Sequence, residues 1–157
     1  MKILYASHSF GAWGSSDHIW DRNIRDSLIF QGHELVFPHF DQNKAHDECT
    51  HDASGEARAR YSQLMVDSVK SHLSHGKLSL IFTYFDNRNI LPEALDEIRA
   101  FGVPTVNFFC NAAHEFHKVD QVAAHFDFCI VPERSALQSY REIGARPLHI
   151  QMAANPR

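Results

Sequence analysis

The sequence has few cysteines, no long apolar run and no strong excess of charge of either sign. Its 157 residues include three cysteines, 15 basic residues and 19 acidic residues, which gives a formal net charge of −4. This weakly negative charge does not favour nucleic acid or an anionic membrane as a partner. No stretch approaches the roughly 20 apolar residues that a membrane-spanning helix requires. We therefore expect no membrane span and a cytoplasmic location.

The three cysteines are too few and too far apart for a disulfide framework or a zinc motif. Cys49, Cys110 and Cys129 are an odd number without short spacing, and two of them lie in apolar runs. This arrangement predicts buried free thiols in a reducing compartment. The opening run, MKILYASHSF, is too short and too interrupted to be a signal peptide.

One polar segment contains side chains of the kinds that bind transition metals. These are His46, Asp47, Cys49, His51 and Asp52. Their spacing matches neither the Cys-x₂-Cys nor the His-Glu-x-x-His pattern of zinc sites. We therefore predict that residues 39–55 form an exposed, irregular polar insertion and that the protein binds no metal.

Segments with the apolar pattern of strands alternate with segments of helical period along the whole chain. Strands are predicted over residues 2–7, 34–38, 78–85, 103–110, 126–131 and 146–152. Helices are predicted over residues 17–31, 61–73, 92–101, 115–125 and 132–143. Strands separated by helices run parallel, so residues 1–157 are predicted to form a single Rossmann-like domain. Its architecture is a three-layer, doubly wound parallel sheet of about six strands.

Two stretches resemble the N-terminal domain of GT-B glycosyltransferases, most closely the spore-maturation (CgeB-like) group. They are LIFTYFDNRNILPEALDEIRAFGVPTVNFFCNAAHEF and FDFCIVPERSALQSYREIGARPLHIQMAANP. The matching residues are Pro92–Leu95, Gly102–Val106, Ser135, Tyr140, Gly144–Ala145 and Ala153–Pro156. The opening MKILYASHSFGAWGSS and the GHEL at residues 32–35 match the same domain more loosely.

The resemblance implies a glycosyl acceptor-binding domain that uses no metal and no other cofactor. In this family a second domain holds the nucleotide-sugar donor, and the chain crosses to it at the Ala-Ala-Asn-Pro turn. The expected partners are therefore an acceptor and a donor-binding domain or subunit, without which no sugar transfer is expected. Two copies of the chain forming a homodimer is a further possible assembly. The alternative is a non-catalytic ligand- or protein-binding module, which the asparagine at the family's acidic position (Asn111) favours.

In a parallel sheet, ligands bind beyond the carboxyl ends of the strands, so the loops at that edge hold the candidate residues. In the first loop the predicted acceptor-binding residues are His8, Ser9, Gly11, Trp13, Gly14 and Ser15. The glycines permit close backbone approach, free amides at a helix start bind hydroxyl or phosphate groups, and a tryptophan suits a sugar face. The G-x-G-x-x-G fingerprint is absent. The alternative is that these residues only form the turn and cap the helix.

Later loops contribute further candidates. Acceptor contacts are predicted for Asp86 and Asn87 after the third strand, Asn111 after the fourth and Glu133 after the fifth. His114 and Glu115 are the predicted catalytic residues. The resemblance implies a base near the acceptor hydroxyl, and a neighbouring carboxylate raises the basicity of an imidazole. The alternative reading of these loops is ordinary turn and capping chemistry.

Overall fold

The computed structural model describes residues 1–7 and 21–151 of the chain. The strands are β1 (Lys2–Ser7), β2 (Glu34–Val36), β3 (Leu80–Tyr84), β4 (Thr105–Phe108), β5 (Phe128–Val131) and β6 (Pro147–His149). The helices are α1 (Ser27–Phe30), α2 (Gln42–His51), α3 (Glu56–Ser74), α4 (Pro92–Ala100), α5 (Ala112–Glu115) and α6 (Leu137–Glu142). A π-helical turn precedes α1 at Asp21–Asp26, and 3₁₀ turns lie at Phe116–Lys118, Ala123–His125 and Arg134–Ala136.

The six strands form one sheet in which every neighbouring pair is parallel, as the sequence pattern predicts. Their order is β2-β1-β3-β4-β5-β6. The chain passes from β1 outward to β2 and then returns to the other side of β1, so its direction of winding reverses between β1 and β3. Such a reversal opens a crevice at the carboxyl ends of the two strands, where ligands of doubly wound sheets bind.

Helices cover both faces of the sheet, which produces three layers. On one face, α3 and α4 pack their apolar stripes, including Tyr61, Met65, Leu95 and Ile98, all of them at most 2% exposed. The opposite face carries the helical segment that ends in α1. This division follows from right-handed crossovers, because connections that progress in opposite directions along a sheet lie on opposite faces.

The prediction that residues 39–55 are irregular is wrong, because α2 occupies most of this segment. Asp41 caps the helix by accepting a hydrogen bond from the Lys44 amide at 3.0 Å. Ala45 is half-buried and Cys49 is buried, so two small residues form the inner side of a mostly polar helix. Packing against α3 compensates for this weak apolar pattern, which the sequence period does not reveal.

Other predicted boundaries also shift. In place of the helix predicted over residues 115–125, the chain forms α5 and two 3₁₀ turns. The backbone amide of Asn87 donates to the Lys118 carbonyl, and its side-chain NH₂ group donates to the His117 carbonyl. A regular helix would need both carbonyls as acceptors for its own amides. The fourth and sixth strands are shorter than predicted. Of the helix predicted over 17–31, residues 17–20 lie outside the described part of the chain.

Within the described residues, no helix is both long enough and apolar enough to cross a membrane.

Asp52, in the loop that precedes α3, contributes to the stability of the fold. Its carboxylate accepts hydrogen bonds from the Ala57 amide at 2.6 Å and from the Ser54 amide at 2.8 Å. These bonds, the one from Ala57 most of all, lower the pKa of Asp52 to about 2. A carboxyl group whose pKa is lowered by folding stabilises the folded state at pH values above its ordinary pKa, which is near 3.8 for Asp52. This contribution is lost as the pH falls through about 2.

We therefore expect Asp52→Asn to destabilise the protein at neutral pH and to have progressively less effect as the pH falls from about 4 toward 2. Urea denaturation across this range measures the difference. Asp47→Asn, a change of the same kind at an exposed position on α2, is the control. A pH-independent difference for Asp52→Asn would contradict this assignment.

Candidate functional site

Three loops meet beyond the carboxyl ends of β3, β4 and β5. We define the carboxyl-edge site as residues 86–91, 111–118 and 133–134, which follow these three neighbouring strands. Hydrogen bonds between the loops fix their relative positions.

The loop after β3 is organised around the carboxylate of Asp86, which is only 2% exposed. One of its oxygens accepts from the Arg88 amide at 2.9 Å, and the other accepts from Arg88 Nε at 3.0 Å and from Arg88 Nη2. The side-chain oxygen of Asn89 accepts from the Asp86 amide at 3.1 Å. Asp86 is thus committed to its own loop, and the group that it presents to solvent is the guanidinium of Arg88, which is 44% exposed.

Helix α3 holds the same loop from below. Arg58 donates from Nε and Nη2 to the Ile90 carbonyl at 2.9 and 2.7 Å. The hydroxyl oxygen of Ser62 accepts from the Leu91 amide at 2.9 Å. Because the backbone is held at both positions, the loop forms a rigid base for the site.

Asn87 joins the loop after β3 to the loop after β4. Its side-chain amide donates to the His117 carbonyl at 2.9 Å and to Asp120 Oδ1 at 2.8 Å, and its backbone amide donates to the Lys118 carbonyl at 2.7 Å. Its side-chain oxygen accepts from the Gln121 amide at 3.2 Å. These contacts give Asn87 a role in fixing the two loops relative to each other.

The loop after β4 begins with a left-handed residue. Asn111 has φ 66° and ψ 17°, and its amide donates to Glu133 Oε1, in the loop after β5, at 2.7 Å. Its carbonyl accepts from the His114 and Glu115 amides at 3.0 and 2.9 Å. One residue therefore ties Glu133 to the helix that bears the predicted catalytic pair.

His114 and Glu115, the predicted catalytic residues, both lie on α5 at this edge. His114 is exposed, whereas Glu115 forms an ion pair with Lys118. The partner of the Glu115 carboxylate is thus Lys118, which is not among the residues predicted from the sequence. A Glu and a Lys three residues apart in a helical stretch are the signal that would have indicated it.

Tyr84 and the three cysteines are buried. The Tyr84 hydroxyl and the Cys110 thiol lie 3.1 Å apart, and burial raises the pKa of both groups. Burial also raises the pKa of Cys49 to about 11 and that of Cys129 to about 12. All three cysteines are buried free thiols, as predicted, and thiols in such apolar surroundings are poor nucleophiles.

The described part of the chain contains no group of three histidine, cysteine or acidic side chains placed to hold a metal ion. The residues of the 46–52 cluster instead lie along α2 and just beyond it. His46 is half-buried, and burial lowers its pKa below 6.5, although the nearby charge of Asp86 acts in the opposite direction. This proximity depends on α2, which the apolar period of the sequence does not predict. The capping residue Asp41 and the spacing of Ala45 and Cys49 were the available signals.

The first-loop candidates His8, Ser9, Gly11, Trp13, Gly14 and Ser15 lie outside the described residues. Of the remaining predicted site residues, Asn111, His114, Glu115 and Glu133 come together directly, and Asn87 and Asp86 support the same edge.

A separate groove of about 400 Å³ lies on the sheet face beside α1. Its lining includes Ile24, Leu28, Phe82, Phe108 and Ile130, and among the described residues it contains no titratable side chain. A polar pocket of about 220 Å³ lies where β1 and β2 end, against Ser7, Phe37 and Asp41. The groove offers apolar packing, whereas the acid-base groups lie at the carboxyl edge.

No family model and no curated protein matches this chain.

Proposed function

We propose that this chain is the acceptor-binding half of a nucleotide-sugar-dependent GT-B glycosyltransferase. The observation that carries the proposal is the convergence of Asn111, His114, Glu115 and Glu133 from two loops on one edge of a parallel sheet. The resemblance places the loop after β4 near the reacting acceptor hydroxyl, and Glu133 follows β5 at the same carboxyl edge, where doubly wound sheets bind ligands. In this role the chain binds the acceptor, while a donor-binding domain or subunit supplies the nucleotide sugar.

The side chains fit a sugar acceptor. Carboxamide, carboxylate and imidazole groups together offer the donors and acceptors that hydroxyl groups require. His114, exposed at the edge, is the group that would take the proton of the reacting hydroxyl, and Lys118 holds the neighbouring Glu115 in place. The reaction is expected to use no metal and no other cofactor. A cytoplasmic location, in keeping with the three free thiols, is part of the proposal.

A second candidate is a non-catalytic ligand- or protein-binding module with the same fold. It is favoured by Asn111, which cannot accept a proton at the position where the family has an acid. The ion pair of Glu115 with Lys118 also favours it, because a paired carboxylate is a weaker base.

Titration of the isotope-labelled chain, followed by amide NMR spectroscopy, separates these functions. We expect simple methyl glycosides to shift the amide signals of residues 86–91 and 111–118, whereas UDP-glucose and GDP-mannose leave the spectrum unchanged and no sugar is transferred. Tight binding of a nucleotide sugar, or turnover without a second polypeptide, would contradict the half-enzyme. If none of the glycosides binds, the non-catalytic module is favoured.

A further inference from the structure

The polar pocket of about 220 Å³ lies beyond the carboxyl ends of β1 and β2. We define this β1 pocket by five of the residues that line it: Ser7, Arg25, Phe37, Asp41 and Asn43. Ser7, the last residue of β1, pairs in the sheet with Tyr84, which lies two residues before Asp86. The β1 pocket therefore adjoins the loop after β3, at the crevice where the direction of winding reverses and where doubly wound sheets bind ligands.

The charges of the β1 pocket are balanced. Among the described residues, its lining carries one guanidinium and one carboxylate group, and both already have a partner. Arg25 forms an ion pair with Asp26 at 3.0 Å, and the carboxylate of Asp41 accepts from the Lys44 amide at 3.0 Å. Together with the hydroxyl and carboxamide groups of the lining, they can donate to and accept from hydroxyl groups. This lining favours a neutral, polar ligand over an ion.

Phe37 gives the β1 pocket an aromatic wall. Its carbonyl accepts a hydrogen bond from His72 Nε2 at 2.8 Å, and its ring makes an edge contact with Tyr5, with ring centres 6.2 Å apart. Phe37 nevertheless remains 46% exposed. These contacts hold an aromatic surface in place without covering it, so little order is lost when a ligand packs against it. An aromatic wall beside several hydrogen-bonding groups suits a sugar ring, which has apolar faces and polar edges.

The size and the position of the β1 pocket indicate how much of a ligand it holds. Its volume is below the about 300–1,000 Å³ of pockets for drug-sized ligands, so it suits one sugar ring rather than a nucleotide. Helix α2 connects it to the carboxyl-edge site. Asn43 lines the pocket, and His46, about one helical turn later, lies close enough to Asp86 for their charges to interact. A ligand of two or more sugar units could therefore occupy both places.

We propose that the β1 pocket is a second sugar-binding subsite, which holds a neutral sugar unit of an acceptor whose reacting unit lies at the carboxyl-edge site. This inference rests on the proposed function. It adds that the acceptor is an oligosaccharide or a glycoconjugate with at least two sugar units.

The test is an amide NMR titration of the isotope-labelled chain with two sets of probes. One set is the methyl glycosides of glucose, galactose and mannose, and the other is the methyl glycosides of the disaccharides maltose, lactose and mannobiose. We expect a disaccharide to shift the amide signals of Ser7 and Asn43 as well as those of residues 86–91 and 111–118. It should also bind about tenfold more tightly than the monosaccharides, because it gains the contacts of the β1 pocket.

Two substitutions in the lining, each with a matched control, test the β1 pocket itself. Phe37→Leu keeps an apolar side chain but removes the aromatic wall, and Asn43→Ala removes a carboxamide. Each should lower disaccharide affinity about threefold or more. Phe30→Leu, at an exposed phenylalanine of α1 outside the lining, and Lys44→Ala, the next residue on α2, should leave it unchanged. Urea denaturation establishes that each variant is folded.

The two proposals fail in different ways. If the disaccharides shift only the carboxyl-edge signals, or if Phe37→Leu and Asn43→Ala both keep native affinity, this inference is overturned and the proposed function stands. If the sugars shift only the signals of the β1 pocket, the carboxyl-edge assignment is overturned and the sugar site in the pocket stands. If no saccharide binds, both are overturned.

Discussion

Replacing Asn107 by alanine is expected to lower the free energy of unfolding by about 3–5 kcal/mol. Asn107 is 2% exposed, and its oxygen accepts from Thr83 Oγ1 at 2.7 Å and from the Phe85 amide at 2.8 Å. Its NH₂ group donates to the Phe85 carbonyl at 3.0 Å. Alanine would remove the Asn107 partners of the Phe85 amide and carbonyl in the interior, and it would leave the Thr83 hydroxyl with only its longer bond to the Val106 carbonyl at 3.3 Å. Urea denaturation measures the loss.

Thr83→Val is the matched control for Asn107, because it removes only one of the three contacts and keeps the shape of the side chain. We expect it to cost about 1 kcal/mol. Equal losses for the two variants would contradict the view that the Asn107 amide extends the pairing of β3 and β4 to Phe85. Since Phe85 leads directly into Asp86, Asn107→Ala should also weaken glycoside binding in the protein that remains folded.

Replacing Tyr61 by alanine is expected to cost a similar amount, about 3–5 kcal/mol, for a different reason. The ring of Tyr61 is 1% exposed and makes edge contacts with Phe40 and Phe85, with ring centres 5.2 and 5.7 Å apart. Alanine would leave a cavity between α3 and the sheet, beneath the loop that carries Asp86. The midpoint of urea denaturation reports this loss.

Tyr61→Phe, in contrast to Tyr61→Ala, is not expected to destabilise the protein. The Tyr61 hydroxyl is buried without a hydrogen-bond partner in the described part of the chain, and burial raises its pKa. Removing a polar group of this kind is expected to leave the free energy of unfolding unchanged or to raise it by up to about 1 kcal/mol. A loss of more than about 1 kcal/mol would show that the hydroxyl is satisfied in solution.

The sequence pattern predicts the layers of this fold better than its details. Continuous apolar strands alternating with amphipathic helices are sufficient to predict a parallel sheet with helices on both faces. Strand order is not encoded in any local period, because it depends on which strands pair after each crossover. The apolar period does not predict helix α2 either, because this helix has no apolar stripe. Its stability comes from a cap at Asp41 and from the packing of small residues such as Ala45 and Cys49.

The candidate site was predictable in location but not in the roles of its residues. Strand ends identify Asp86, Asn111 and Glu133 as neighbours at one edge. The enclosure of Asp86 by its own loop and the bond from the Asn111 amide to Glu133 are visible only in the three-dimensional structure. The Asn111–Glu133 bond joins residues 22 positions apart, and a bond at such a separation leaves no signature in composition or period.

The most direct test of the account is a crystal structure of the chain soaked with a methyl glycoside. The account predicts that the sugar binds at the carboxyl edge, in contact with the loops of residues 86–91 and 111–118 and with His114 nearby. A sugar bound instead in the apolar groove beside Ile24 and Phe82, with the carboxyl edge empty, would contradict it.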